Sequence, residues 1–220
     1  MLILFEISFK ILTSLTNYNS TSLQQFTQQF RHSQVTRLID DSDTSILNST
    51  ATVTMGKFLT PEIGLNQSYN VNFNNMIYHP HEGHTGGEGV GGVISSTGFF
   101  LTADTAYTEN DEVSREYFFD DDGSGNLRIY SLSSAGVRTY LNTTAGTVDY
   151  TNGTISTNSL LISAVSDVDG ASSTQIRITA IPNSNDVVPV RNQILEIDLV
   201  NTTTGGTVDA QATTGLGYTV

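Results

Sequence analysis

The stretch that decides the fold runs from residue 115 to residue 162 and reads REYFFDDDGSGNLRIYSLSSAGVRTYLNTTAGTVDYTNGTISTNSLLI. Runs such as NLRIYSL and VRTYL alternate with turn-forming runs such as DDDGSG and SSAG. Short apolar and aromatic runs bounded by Gly, Ser, Asn and Asp are typical of strands joined by tight turns. Asn152-Gly153 favours a hairpin, because both residue types tolerate the positive φ of a type I′ turn. The pattern predicts an antiparallel meander from about residue 113 to residue 162.

Strict alternation also occurs on both sides of this meander. In SYNVNF, Tyr69, Val71 and Phe73 share one face, and asparagines occupy the other. This is the pattern of a strand with one solvated side. The segments QIRITAI and QILEIDL alternate in the same way. In QILEIDL we expect the apolar side chains to face inward and the acidic ones outward, namely Leu195, Ile197 and Leu199 against Glu196 and Asp198.

The first twelve residues, MLILFEISFKIL, have more than one interpretation. From Phe5 to Ile11 apolar and polar residues alternate, which predicts a half-buried strand. A signal or anchor is an alternative, but Glu6 and Lys10 interrupt the apolar run, and the run is too short to span a bilayer. A start site inside a longer gene is a third interpretation, because a chain that opens in mid-strand would suit a fragment.

A helix is predicted to begin near Ser22. Ser22 and Gln25 have the spacing of a capping box. An apolar stripe follows at helical spacing, with Gln34 as a polar gap, and it consists of Phe26, Phe30, Val35, Leu38 and Ile39. We expect the stripe to pack on the β-sheet, and DDSDTS to end the helix.

These elements predict an α+β fold that is mainly β, with antiparallel meander sheets and one N-terminal amphipathic helix. The predicted organisation is a strand-plus-helix region over residues 1–60 and a β-rich domain over residues 61–220. The β-rich domain could continue beyond residue 220 if the chain is a fragment of a longer protein.

Composition excludes several classes of function. The formal net charge of −13 would repel a phosphate backbone, because nucleic-acid affinity comes largely from Lys and Arg. We therefore expect no nucleic-acid partner. The absence of Cys excludes a disulfide framework and a thiolate metal site.

Residues 78–92, YHPHEGHTGGEGVGG, bring together three of the four histidines. His79, His81 and His84 could supply imidazoles to Zn²⁺, Ni²⁺ or Fe²⁺. Pro80 and Gly83 instead favour a turn, and no fourth ligand is fixed by spacing. The glycines lack the following Lys-Ser/Thr and helix pattern of a nucleotide-binding loop. The favoured interpretation is a surface loop that orders against a neighbouring subunit.

The run DDDGSGN, residues 120–126, resembles the start of a calcium loop. Asp120, Asp122, Ser124 and Gly125 match its opening, but Ser131 stands where the bidentate Glu should be. Asp and Gly are also the residues that a β-turn selects, so a plain turn is favoured. No nucleophile elbow and no convergent catalytic set is recognisable. We therefore assign no catalytic, cofactor-binding or metal residue, and expect neither cofactor nor enzymatic activity.

Three stretches carry a resemblance to a known family, and they are FRHSQVTRLIDDSDTSILNST (30–50), YNVNFNNMIYHP (69–80) and DVVPVRNQILEIDL (186–199). Together with AGTVDYTNGTI (145–155), they resemble the inner-ring baseplate wedge protein of T-even-type contractile-tailed phages, especially its marine relatives. Members of this family are longer, so the chain resembles only their C-terminal portion.

The resemblance implies a structural virion protein without catalysis. Members of the family occur as paired copies in wedges that join into a ring around the tail hub. The implied partners are other baseplate wedge proteins and a second copy of the chain, as a dimer within the ring, with neither nucleic acid nor membrane involved. The implied location is the virion tail baseplate, assembled in the host cytoplasm.

A receptor- or carbohydrate-binding β-module of a tail fibre or adhesin is the alternative. It would share the acidic, Cys-free, β-rich composition. It should also present aromatic side chains to solvent for stacking on sugars. The tyrosines that could be exposed for this purpose are Tyr117, Tyr130 and Tyr150.

Overall fold

The structure is a computed structural model that describes residues 2–79, 92–102, 115–168, 171–189 and 193–206. The chain divides into two compact units. One comprises residues 1–51 and 191–220, and the other comprises residues 52–190. They are called here the helical unit and the β unit.

The helical unit is built around two helices. Helix α1 covers Leu2–Tyr18 and passes directly into a π-helical segment, Asn19–Leu23, and α2 covers His32–Asp40. The buried side chains of its core are Leu15, Tyr18, Leu23 and Val35. Partly buried side chains pack around them, namely Ile11, Phe30, Leu38, Ile39, Leu195, Ile197 and Leu199.

The strand predicted for residues 5–11 is wrong, because these residues lie within α1. The alternation there is real but short. Ile11, Leu15 and Tyr18 recur at the spacing of one helix face, and this face packs in the core of the unit. The packing of this helix face therefore outweighs an alternating pattern of seven residues.

The helix predicted from Ser22 starts instead at His32. Thr27 lies between these positions with φ +68°, a left-handed conformation that no α-helix contains. The predicted capping box is also wrong, since Gln25 Nε2 donates to the carbonyl of Thr21 at 2.8 Å. The capping residue of α2 is Arg31, which makes no capping hydrogen bond through its side chain.

The predicted packing of the apolar stripe on the β-sheet is corrected as well. Phe26 is 63% exposed. Phe30, Leu38 and Ile39 are partly buried, and they pack against the core of the helical unit.

The segment QILEIDL forms no strand in the described structure. Leu195, Ile197 and Leu199 still pack on the core of the helical unit, as their alternation predicted. The amide of Ile197 donates to Oδ1 of the buried Asn19 at 2.8 Å. This backbone amide thus pairs with a side-chain oxygen instead of with a carbonyl of a neighbouring strand.

The strands described in the β unit are β1 Met55–Leu59, β2 Asn66–Gln67, β3 Asn70–Asn72, β4 Ile94–Ser96, β5 Phe99–Leu101, β6 Tyr117–Asp121, β7 Asn126–Leu132, β8 Arg138–Asp149, β9 Thr154–Thr157, β10 Leu160–Val165 and β11 Ile176–Ala180. One sheet has the order β1-β11-β4, and the other has the order β2-β10-β5-β6-β7-β8-β9-β3. All pairings are antiparallel.

The larger sheet closes on itself. Only residues 158 and 159 separate β9 from β10, so the two form one bent strand. β3 and β2 pair along one edge of this bent strand. On its other edge β9 pairs with β8, and β10 pairs with β5. Since β5, β6, β7 and β8 pair in sequence order, the strands form a closed circuit. The circuit gives β5 and β8, the outer strands of the meander, a partner on each edge, whereas β2 and β3 pair on one edge only among the described residues.

The predicted alternation accounts for the core of the β unit. Tyr69, Val71 and Phe73 are buried, and the asparagines between them are exposed. Phe99 and Phe119 are completely buried and stack with ring centroids 4.5 Å apart. Strand β11, within QIRITAI, also buries alternate residues, namely Ile176, Ile178 and Ala180. The predicted fold class, mainly β with antiparallel meander sheets and an N-terminal helix, is confirmed.

The hairpin predicted at Asn152-Gly153 is present, but its turn is longer than the expected two residues. Asp149 pairs with Thr154, so four residues connect β8 to β9. Gly153 alone among them has positive φ, at +66°. A Cβ atom on Gly153 would lie 2.0 Å from the carbonyl oxygen of Asn75. Glycine is therefore required both by its backbone conformation and by this close approach.

Candidate assembly surfaces

His79 is the one member of the predicted histidine cluster that lies among the described residues, since His81 and His84 fall outside them. Its exposed ring stacks on Tyr150 at 4.5 Å between centroids. Its Nε2 lies 3.2 Å from the carbonyl oxygen of Gly123. The ring thus packs against the acidic turn of residues 120–126.

The three carboxylates of this turn have separate partners. Asp120 accepts hydrogen bonds from two arginines and the Tyr140 hydroxyl. Asp121 accepts one from the Tyr150 hydroxyl at 2.6 Å and two from the amides of Ile94 and Gly123 at 2.9 and 3.2 Å. Asp122 accepts hydrogen bonds from the amides of Ser124 and Asn126 at 2.7 and 3.0 Å. Within the described ranges, no group of three or more His, Cys, Asp or Glu side chains could hold a metal. The turn is therefore organised by the protein's own donors.

Two pKa shifts follow from this arrangement. Burial alone would raise the pKa of Asp122, but hydrogen bonds from Asn126 and Ser124 outweigh it, and the pKa lies below its usual value. Burial, followed by the hydrogen bond to the Asp121 carboxylate, raises the pKa of Tyr150 far above its usual value. Asp122 thus stays charged and Tyr150 stays neutral at physiological pH.

The outer side of β6, β7 and β8 carries the most organised side-chain layer in the β unit. It is called here the meander face, and its members are Phe118, Asp120, Arg128, Tyr130, Leu132, Arg138 and Tyr140. Phe118 and Tyr130 stack at 5.6 Å, and Tyr130 and Tyr140 approach at 5.9 Å. Arg128 lies over the Tyr140 ring at 4.4 Å, and Arg138 lies over the Tyr130 ring at 4.5 Å. Each guanidinium therefore sits on the aromatic ring of the neighbouring strand.

The buried carboxylate of Asp120 connects the side chains of this layer. Its side chain is 1% exposed and accepts hydrogen bonds from Arg128 Nε at 2.9 Å, Arg138 Nη1 at 2.7 Å and the Tyr140 hydroxyl at 3.0 Å. A buried carboxylate is tolerated only when it is paired in this way.

Sequence reasoning missed the meander face. The signal was present, because Arg-x-Tyr occurs in both NLRIYSL and VRTYL, as Arg128/Tyr130 and Arg138/Tyr140. Tyr130 pairs directly with Tyr140 in the antiparallel register. This register makes each arginine a diagonal neighbour of the opposite tyrosine, within reach of a long side chain. The pairing register, which the sequence does not state, was the missing information.

Two further surfaces expose apolar side chains. In α1, Phe5 and Phe9 lie four residues apart on one face and are 76% and 65% exposed. Strand β1 pairs only with β11 among the described residues, and its Phe58 is 59% exposed. An unpaired strand edge with an exposed aromatic is a surface that proteins normally cover.

The tyrosines considered for sugar binding are not presented to solvent. Tyr117, Tyr130 and Tyr150 are 1%, 6% and 6% exposed, respectively. Their rings therefore offer no stacking platform for a carbohydrate.

No helix in the described part of the chain is long and apolar enough to cross a membrane.

Residues 5–57 match the family described as Baseplate structural protein gp6, C-terminal domain III. This match confirms the resemblance to the C-terminal portion of a baseplate wedge protein, and it supports a structural role in a tail baseplate. No curated protein matches the chain significantly.

Proposed function

We propose that this chain is a component of the inner ring of a contractile phage tail baseplate and that it acts by assembly with other wedge subunits, without catalysis. The observation that carries the proposal is the match of residues 5–57 to a baseplate structural protein. The same proposal includes a second copy of the chain, as a dimer within the ring. Assembly takes place in the host cytoplasm before the baseplate enters the virion.

The exposed apolar side chains support a role in assembly. Phe5, Phe9 and Phe58 belong to regular elements, but their rings remain largely in solvent. Burying such a ring against a partner contributes roughly 1.5–3 kcal/mol. A ring of subunits repeats each such contact around its circumference, so modest interfaces add up.

Charge also bears on assembly. The formal net charge of −13 makes copies of the chain repel one another at low salt. This repulsion is screened within roughly 10 Å at 0.1 M salt. We therefore expect association to be weaker at low ionic strength than at physiological ionic strength.

Co-expression with the other wedge proteins of the same phage tests the proposal. The chain should elute with at least one of them in size-exclusion chromatography, at a mass that light scattering assigns to a defined complex. A tail-fibre protein from the same phage serves as the control partner and should remain separate. A chain that stays apart from every wedge protein but binds cell-surface glycans would make the adhesin alternative the correct one.

A further inference from the structure

Strand β11 lies between β1 and β4 and uses one side of its backbone for each neighbour. The Arg177 carbonyl accepts a hydrogen bond from the Thr97 amide at 2.9 Å. The Ile181 amide donates to the Val93 carbonyl at 3.1 Å. Because the bonding direction alternates along an antiparallel strand, the odd-numbered residues of β11 bond to β4 and the even-numbered ones bond to β1.

The register of the β1–β11 pair then gives the direction of each backbone group in β1. Lys57 pairs with Ile178, so its amide and carbonyl point to β11. The amides and carbonyls of Gly56 and Phe58 point the other way, to the free edge. Within the described ranges, none of these four groups has a hydrogen-bond partner. Two residues at every-second spacing thus present the bonding pattern that an added strand requires.

The side chains along this edge leave room for another strand. Gly56 has no side chain, and Phe58, on the same face of the sheet, is 59% exposed. Lys57 lies on the opposite face and is partly buried, between the buried Met55 and Leu59. A strand added at this edge would cover the Phe58 ring with an apolar side chain of its own.

Lys57 determines which residue the added strand should carry. The three strands of this sheet contain Lys57 and Arg177 and no Asp or Glu, and the nearest acidic residue in sequence, Glu62, lies beyond the end of β1. Lys57 makes no hydrogen bond or ion pair among the described residues. The residue opposite Lys57 would form a non-hydrogen-bonded pair, in which side chains lie closest. An acidic residue at this position pairs with the ammonium group.

The same position argues against a second copy of the chain as the occupant. One antiparallel register of two β1 strands uses Gly56 and Phe58 of both copies. This register places Lys57 directly opposite Lys57 of the other copy. Like charges directly opposite each other destabilise a strand pair.

We propose that β1 binds an extended segment of another baseplate protein as an additional strand of its sheet. The segment has an apolar, acidic and apolar residue in succession, and its backbone bonds to Gly56 and Phe58. Its carboxylate lies opposite Lys57, and one of its apolar side chains covers Phe58. The inference rests on the proposed function and adds to it the surface, the mode of binding and the chemistry of the partner segment.

Substitutions at Gly56 test the proposal in the full chain. Gly56→Pro removes an amide that faces outward and places the proline ring where the added strand would bond, while the hydrogen bonds between β1 and β11 are kept. Gly56→Ala keeps the amide and is the matched control, because its Cβ atom would approach Arg177 Nε no closer than 3.6 Å. Equal melting temperatures verify the fold, and the dissociation constant is measured with each purified wedge protein of the same phage.

For the partner that docks here, Gly56→Pro should weaken binding at least about tenfold, and Gly56→Ala should change it less than about twofold. Lys57→Glu should weaken binding more than Lys57→Gln, because it adds repulsion to the loss of the ion pair. Equal affinities of the two Gly56 variants would overturn the proposal. Equal losses for the two Lys57 variants would overturn it too, because the segment would then carry no carboxylate at this position.

Hydrogen exchange detects the same contact without a substitution, and it decides the question if Gly56→Pro does not fold. The bound partner should slow exchange of the Gly56 and Phe58 amides at least about tenfold. The Asn70 amide is the control, because it faces the free edge of β3 by the same register argument and should keep its rate. If a wedge complex forms and the Gly56 and Phe58 amides keep their rates, the proposed function stands and this proposal fails.

A capped peptide that reads Thr-Val-Glu-Val-Thr tests the edge without any wedge protein. In an NMR titration it should shift the amide resonances of Gly56 and Phe58, and methylation of both valine amides should abolish the shifts. Methylation of the glutamate amide is the control and should preserve them, since that amide points away from β1. Equal behaviour of the two methylated peptides would overturn the proposal. If the peptide binds as expected but no wedge protein does, the proposed function fails and the chemistry of the edge stands.

Sedimentation equilibrium of the chain alone tests a second copy as the occupant. A homodimer that Gly56→Pro dissociates and Gly56→Ala preserves would identify a second copy at this edge and would overturn the proposal. A monomer–dimer equilibrium that both substitutions leave unchanged agrees with it.

Discussion

The helical unit and the β unit bury their apolar side chains to very different depths. Among the described residues, the large side chains with under 2% exposure number twelve, and Leu23 is the only one in the helical unit. The β unit completes its core with its own strands. The helical unit instead leaves Phe5, Phe9 and Phe26 more than 60% exposed.

The β unit therefore has the more completely buried core, although it too exposes apolar side chains, among them Phe58. A closed circuit of strands needs no partner to bury its inner face. A short helical core surrounded by partly buried residues gains more from a neighbour. The segment that matches the baseplate family, residues 5–57, falls almost wholly on the helical unit. The comparison of the two units can be tested by substitutions of decreasing effect.

The largest effect is expected for Phe119→Ala. Phe119 is completely buried and stacks on Phe99, so its removal leaves a cavity in a core that cannot collapse easily. The free energy of unfolding should fall by about 3–5 kcal/mol. Urea denaturation measures this change. Phe9→Ala, on the exposed side of α1, is the control and should stay within about 0.5 kcal/mol.

The next effect concerns two glycines, Gly136 in the β7–β8 turn and Gly153 in the β8–β9 turn, which separate backbone strain from steric clash. Gly136 has φ +76° with open space around a Cβ, whereas Gly153 has φ +66° and a carbonyl oxygen at 2.0 Å. Gly136→Ala should cost about 1 kcal/mol for the left-handed conformation alone. Gly153→Ala should cost about 3 kcal/mol, since the backbone of Asn75 must also move. Equal losses in thermal unfolding would show that the turn relaxes freely.

A smaller loss is expected for Phe30→Ala in the helical unit. Phe30 is only partly buried against that core, so the substitution should cost roughly 1–2 kcal/mol. The measurement is the same urea denaturation as for Phe119→Ala. A loss as large as that of Phe119→Ala would mean that the core of the helical unit is buried as completely as the core of the β unit.

The smallest effect is electrostatic. Lys10 Nζ donates to Asp43 at 2.7 Å, and this hydrogen bond holds the pKa of Asp43 well below its usual value. A lowered pKa stabilises the fold above the unfolded value of about 4, and the contribution is lost as pH falls through the folded value. Asp43→Asn should therefore lower the melting temperature slightly at pH 7, and the difference from the natural chain should shrink as the pH falls below about 4. The exposed Asp41→Asn is the control, and a loss that stays constant as the pH falls below about 4 would contradict the electrostatic cause.

Much of the β unit could be predicted from the sequence. Alternation placed Tyr69, Val71 and Phe73 in the core because side chains in a strand point to opposite faces at every second residue. Turn residues between the runs gave the order β6-β7-β8-β9 of the meander. The same alternation failed at Phe5–Ile11, where a helix face that includes Leu15 and Tyr18 decided the local structure.

The candidate surfaces were harder to predict. The sequence contains Arg-x-Tyr twice, but the spacing within each strand does not state which residues face each other across the ladder. The pairing of Tyr130 with Tyr140 brings both arginines onto one buried carboxylate, Asp120. The run DDDGSGN, which resembles the start of a calcium loop, uses its carboxylates on these and other internal donors.

The sequence by itself determined the acidic, Cys-free, mainly β character of the protein, the alternating core strands and the resemblance to a baseplate protein. These properties depend on residue type and on spacing along the chain, which the sequence contains in full. Only the tertiary structure decided that α1 is a helix, that the larger sheet closes through the bent strand β9–β10, and that the arginines and tyrosines form one layer. Each of these depends on contacts between residues distant in sequence, and their free energy exceeds the local preference that a short pattern expresses.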